Sequence, residues 1–257
     1  VKLRVAGIGA WGPGFSDWAA CRVLLDGGRL PADAATARPA PACIPPRERR
    51  RAPLSVKLAV AVAEQACTEA GVAPAETVSV FASGMGDMDI TDYMCRTLAS
   101  DQPLVSPTKF HNSVHNAPVG YWTISQGATM SSNAVAGFRH TVPASLLEAA
   151  TQCLAEDVPV LWACQDIASP APFRDIADIP EACAFALLLQ PGGDADLSLS
   201  VAPGRGAWPE PPGGDLAALY ASNPTARLLP VLDVLRGATN AVALPLGDHL
   251  DLTVRRS

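Results

Sequence analysis

Short apolar runs alternate along this chain with longer stretches of helical period. LRVAGIG (3–9), TVSVFASG (77–84) and VPVLWACQD (158–166) read as strands buried on both faces. EACAFALLLQPG (181–192) and ADLSLSVAPG (195–204) predict two further strands, arranged as a hairpin. The small-residue stretch ATMSSNAVAG (128–137) predicts another, and AVALPLG (241–247) and HLDLTVRR (249–256) predict the last two. Between these lie helical segments. SDWAACRVLLDGG (16–28) has Ser16 as its expected cap and Gly27 as its stop. APLSVKLAVAVAEQACTEAG (52–71) has Pro53 in its first turn, Gly71 at its end, and an apolar face of Leu54, Leu58, Ala61, Val62 and Ala66. DITDYMCRTLAS (89–100) predicts a short helix, and residues 112–126 a buried one that Pro118 kinks or limits. VPASLLEAATQCLAE (142–156) follows an expected cap at Thr141, and TARLLPVLDVLRG (225–237) is the last helix. The Pro/Ala/Arg-rich residues 29–52 predict an irregular surface loop, and GIGAWGPG (7–14) a Gly-rich strand-to-helix turn.

Strands and helices alternating in this way imply an α/β layered fold. Residues 1–203 are expected to form the layered domain. Residues 204–257, rich at first in Pro and Gly, are expected to add one helix and two strands to the same core. No run reaches the roughly 18 to 20 apolar residues of a membrane span, and the opening VKLRVAGIGAWGPGF reads as a strand rather than a secretory signal. A soluble, cytoplasmic protein is therefore expected. The net charge of −6 argues against nucleic-acid binding. Seven scattered cysteines without a CxxC pair predict reduced, mostly buried thiols and no zinc site. No metal or cofactor is expected, because GIGAWGPG departs from GxGxxG and no acidic residue follows about 20 positions later.

FHNSVHNAPVGYWTI (110–124) concentrates candidate chemistry: His111, His115 and Asn116 precede Tyr121 and Trp122. On one helix the two histidines, four apart, would share a face. Ser131, Ser132 and His140 supply a hydroxyl and a base, yet no Gly-x-Ser-x-Gly surrounds them. Cys164 ends a buried strand with nothing basic beside it. RERRR (47–51) is the one basic cluster on an acidic chain; its arginines 47, 49, 50 and 51 are either a solvated surface or a docking patch for an acidic partner.

Four segments together resemble the N-terminal half of the β-ketoacyl synthases, condensing enzymes of the thiolase fold. They are LRVAGIGAWGPGFSDWAACRVLLDG, RERRRAPLSVKLAVAVAEQACTEAGVAPAETVSVFASGMGD, SPTKFHNSVHNAPVGYWTISQG and LLEAATQCLAEDVPVLWACQD. The third is also similar to short ketoacyl-synthase-like proteins found beside aryl polyene synthases. The resemblance implies a thiolase-like fold with a nucleophilic Cys on the tight turn before a helix. Counting from Asn116 and Gly120, or back from VPVLWAC, puts that position on Arg139, and no Cys occurs between Cys95 and Cys153. A guanidinium is always protonated and forms no thioester. Either Arg139 turns toward an anion or a partner, or the position is offset by one residue. The family's two catalytic histidines belong to its C-terminal half, and only His249 follows residue 140 here.

The expectation is a non-catalytic subunit resembling a chain-length factor. Such a subunit pairs with a catalytic β-ketoacyl synthase as a heterodimer and shapes its acyl tunnel in polyene, polyketide or fatty-acid-like synthesis. Tunnel or interface candidates are His111, His115, Asn116, Tyr121, Trp122, Met130, Phe138 and Arg139; Arg47, Arg49, Arg50 and Arg51 are candidates for docking an acyl carrier protein. A stand-alone acyltransferase or thioesterase using Ser132 and His140, or Cys164, is one alternative; a homodimeric scaffold is another.

Overall fold

The computed structural model describes residues 1–29 and 36–257. The first strand, β1 (Lys2–Trp11), runs through both Gly7 and Gly9, so the glycines expected in a turn lie inside a strand. The reason is the helix above them. A Cβ on Gly9 would sit 2.0 Å from the carbonyl oxygen of Val62, and one on Gly7 2.1 Å from that of Ala66. Only glycine lets the strand backbone approach a helix this closely. Gly9→Ala is expected to cost about 1–3 kcal/mol through the forced separation, measured as a drop in the urea midpoint with an unchanged slope.

Helix α1 (Trp18–Leu25) is capped by Asp17, whose carboxylate accepts from the N–H of Ala20; Ser16, the expected cap, is one position early. The expected loop at 29–52 contains a short helix, α2 (Pro46–Arg51); residues 30–35 lie outside the described residues. No residue of α2 is buried. Helix α3 (Leu54–Ala70) follows Pro53 and ends at Gly71 with φ +65°, as the punctuation predicts. Strand β2 (Val78–Ala82) is wholly buried, and α4 (Met88–Leu98) starts from an Asp87 cap. The expected helix at 112–126 is split into α5 (Pro107–His111) and α6 (Ala117–Gln126). Pro118 sits in the first turn of α6, where its missing N–H is harmless, so it starts a helix instead of kinking one.

Strand β3 (Ser132–Val135) leads to α7 (Thr141–Glu156). Thr141 is the first residue of α7 rather than its cap, and its hydroxyl accepts from the Gly137 N–H while donating to the Phe138 carbonyl. Strands β4 (Val160–Asp166), β5 (Cys183–Pro191) and β6 (Leu197–Pro203) follow. The C-terminal segment adds α8 (Leu216–Ser222), a 3-10 turn at Pro224–Leu228 and α9 (Leu229–Leu235), where one helix was expected. It ends with the hairpin β7 (Ala241–Pro245) and β8 (Leu250–Arg256).

All eight strands form one sheet in the order β3-β2-β4-β5-β1-β6-β8-β7. β2 is parallel to β3 and β4, and the remaining neighbours are antiparallel. The expected β5–β6 hairpin does not form, because β1 lies between the two and pairs with both. Alternation along β4 separates two cores. Val160, Trp162 and Cys164 pack with α7 and the C-terminal helices, whereas Leu161 and Ala163 pack with α3 and α6. Five of the seven cysteines are buried in these cores as free thiols. No helix among the described residues is long and apolar enough to cross a membrane.

Candidate functional site

The segment between β3 and α7 is a sharp elbow. Phe138 has φ +51°, one of two non-glycine residues with positive φ among the described residues. A bulky side chain in this region is strained by about 1–3 kcal/mol and persists only where its surroundings hold it. The strain falls one position before Arg139, the position reached by counting along the sequence. Arg139 follows in the 3-10 turn, with its guanidinium 5.6 Å from the Phe138 ring centroid. Neither residue is a nucleophile.

The turn after β2 presses on this elbow. A Cβ on Gly84 would lie 2.9 Å from the Phe138 carbonyl oxygen and 3.4 Å from the Asp166 carboxylate. Asp166, at the end of β4, organises this contact. Its carboxylate is fully buried and accepts from the Ser83 hydroxyl (2.9 Å), the Gly84 and Met85 N–H groups (3.2 and 2.9 Å) and the Thr225 hydroxyl (2.9 Å). Burial raises its pKa, against the lowering effect of those four donors. The native state thus binds this proton more tightly than the unfolded chain, whose carboxylate pKa is about 4. This group's contribution to stability is therefore present at low pH and falls as pH rises through the raised native value. Nothing in the residue types alone singled out Asp166; the available signal was an acidic side chain closing a continuous apolar strand.

The residues of FHNSVHNAPVGYWTI divide among three environments. His111, Asn116 and Tyr121 line a groove of about 970 Å³ between α2, α5 and α6, together with Phe110, Val114 and Ile124. Ile124 is 84% exposed and Phe110 63%. His111 packs edge-on against Tyr121 at 6.4 Å, and burial raises the Tyr121 pKa. His115 lies on the turn between α5 and α6, off any shared helix with His111, and its Nε2 is 3.3 Å from the Val135 carbonyl. Among the described residues no group of three ligands could hold a metal ion. Trp122 is fully buried against Phe81, so it belongs to the core and not to the groove wall. Met130 and Phe138 are exposed.

Ser132 and His140 have other partners. The Ser132 hydroxyl is 2.8 Å from that of Ser79 on β2, and His140 Nδ1 is 2.8 Å from the Pro245 carbonyl while its ring stacks on Trp208. Ser131, just before β3, gives its carbonyl to the Ser79 N–H. Cys164 is fully buried, and burial with the nearby Asp166 raises its pKa well above 9.0. A thiol in that state is a poor nucleophile. Of the four arginines on α2, Arg49 donates to the Pro41 carbonyl at 2.8 Å, and Arg51 lies 3.8 Å from Glu48 on the groove wall. Arg47, Arg50 and Arg51 remain exposed.

A family model described as beta-ketoacyl synthase, N-terminal domain, matches residues 18–214. No curated protein matches the chain. Among solved structures, the chain is similar to a ketosynthase (ApeO) in complex with its chain length factor (ApeC) from Xenorhabdus doucetiae. That match has 23% identity and a TM-score of 0.72, and covers 100% of both chains. The ishigamide ketosynthase/chain length factor is similar at 13% identity and TM-score 0.71, covering 100% of this chain and 99% of that one. AntDE:AntF, a type II acyl-carrier protein in complex with its ketosynthase, is similar at 12% identity and the same TM-score and coverage. At these identities the likeness is one of fold.

Proposed function

The chain belongs to the β-ketoacyl synthase N-terminal-domain family and has its thiolase-like layered α/β fold, and from that premise we propose that it is a non-catalytic, chain-length-factor-type subunit. In this reading it pairs with a catalytic β-ketoacyl synthase and forms one wall of that partner's acyl tunnel. The observation that carries the proposal is the elbow: the strained strand-to-helix turn is kept, while Phe138 and Arg139 stand where a nucleophile would be. The engagement of Ser132 with Ser79 and of His140 with the Pro245 carbonyl, and the burial of Cys164, favour it over a stand-alone acyltransferase.

Two surface features support pairing. Among the described residues β3 is the last strand of the sheet, with one edge unpaired, and such an edge is a template for a strand of another chain. The exposed Leu104, Phe110, Val114, Ile124 and Met130 all fall in the segment leading to it. The partner we assign to this face is a ketosynthase, because solved structures of this fold include a ketosynthase with its chain length factor. An acyl carrier protein is the partner proposed for Arg47, Arg50 and Arg51, by attraction of its acidic surface. Residues 1–203 would supply the pairing half and residues 204–257 an appendix packed on the same core.

Co-expression with a catalytic ketosynthase tests the pairing. A one-to-one complex is expected on affinity purification, and separate elution of two homodimers would refute it. Tyr121, on the groove wall, is the residue proposed to limit chain length. In the purified complex Tyr121→Ala is expected to shift products toward longer chains, read by mass spectrometry; an unchanged distribution would remove Tyr121 from that role.

A further inference from the structure

The elbow also lines a separate cavity, of about 370 Å³, built from three parts of the chain that are far apart in sequence. Arg139 comes from the elbow, Arg174 from the loop after β4, and Arg227 from the 3-10 turn before α9. Trp208 and Asn223 complete the wall. None of the three guanidiniums forms an ion pair among the described residues. Arg227 is held in place without a carboxylate. Its guanidinium lies 4.7 Å from the Trp208 ring centroid and 4.3 Å from that of Tyr220, and one of its N–H groups donates to the Ala221 carbonyl. The Tyr220 hydroxyl donates to the Pro209 carbonyl, and His140 stacks on Trp208. The aromatic clamp therefore fixes a charge that faces the cavity.

The sixteen-residue α7 adds to this field. Its N-terminus follows the elbow directly, with no acidic residue in its first turn and no side-chain cap. The positive end of a helix beside unpaired arginines is electrostatically unfavourable unless an anion offsets it. Asp175 and Asp178 share the cavity wall, and neither lies within ion-pair distance of the arginines. They limit the positive surplus, so the field suits a ligand of one or two negative charges and disfavours a polyanion.

We propose that this cavity is an anion site, binding a small carboxylate- or phosphate-bearing ligand between Arg139, Arg174 and Arg227. Planar guanidiniums recognise both groups through paired N–H donors. The site does not depend on the pairing function, because every residue in it belongs to this chain.

Calorimetric titration of inorganic phosphate and of malonate at low salt tests the proposal, on the chain alone or in its purified complex. Saturable binding of at least one anion is expected. Binding of phosphate alone identifies a phosphoester ligand, of malonate alone a carboxylate, and of both a general oxyanion site. Arg139→Gln and Arg227→Gln should each weaken binding by about tenfold or more, the loss expected for a hydrogen bond to a charged group. Arg174→Gln, at an exposed position, serves where the clamped Arg227 variant fails to fold. Arg22→Gln, on α1 and outside the cavity lining, should leave binding unchanged. The proposal is overturned if neither anion saturates, if all three pocket variants bind as the parent does, or if Arg22→Gln weakens binding equally.

Discussion

Ala134→Pro is expected to abolish association with the proposed ketosynthase partner while leaving the chain folded. The Ser79 N–H donates to the Ser131 carbonyl at 3.0 Å and the Ser83 N–H to the Val135 carbonyl at 3.3 Å. Asn133 shares that side of the strand, so alternation directs the backbone groups of Ser132 and Ala134 to the open edge. Proline at 134 removes an N–H that β2 does not use, and its fixed φ is compatible with an edge strand. The stability of the chain should therefore change by less than about 1 kcal/mol, within the range of ordinary surface substitutions. A strand added at this edge would lose a main-chain hydrogen bond and meet the proline ring. The lost hydrogen bond costs about 0.5–1.5 kcal/mol, and the clash of the ring with the added strand comes on top of it. Affinity purification of the tagged partner would show the chain retained for the parent and lost for Ala134→Pro. Equal retention would move the interface elsewhere.

The largest effect on the fold itself is expected at Asp166. Asp166→Ala leaves the Ser83 and Thr225 hydroxyls and the Gly84 and Met85 N–H groups without their acceptor. Each buried unsatisfied donor costs about 1–3 kcal/mol, and rotation of the hydroxyls to other acceptors recovers part of the sum. A net loss of about 3–5 kcal/mol follows from the part of that sum that is not recovered. Urea unfolding of the two proteins would measure it. Asp166→Asn keeps one acceptor oxygen and should fall between them. A loss below about 1 kcal/mol for the alanine variant would mean that the network does not hold the elbow.

Much of the layered fold was legible because its signals are local. Pro53 and Gly71 bound α3, and the unbroken apolar run from Val160 marks β4 as a buried strand. What was not legible depended on contacts between distant segments. The place of β1 between β5 and β6 is set by pairing across the whole chain, so the nearer hairpin looked natural and was wrong. Helix α2 buries no side chain and therefore has no apolar period to read. Trp122 looked like a tunnel residue because aromatics suit such walls, but its neighbour Phe81 comes from a different element. At the elbow, sequence counting reached Arg139, and the strain on Phe138 could not be foreseen because phenylalanine carries no preference for positive φ. The arginine pocket was invisible for the same reason as the sheet order: Arg139, Arg174 and Arg227 meet only in the folded chain.

The non-catalytic role is tested most directly by intact-mass spectrometry of the purified complex after incubation with an acyl-loaded carrier protein. The expected result is an acyl adduct on the ketosynthase partner and an unchanged mass for this chain. An adduct on this chain that disappears in Ser132→Ala or Cys164→Ala would contradict the role and make the chain an acyl-transfer enzyme in its own right.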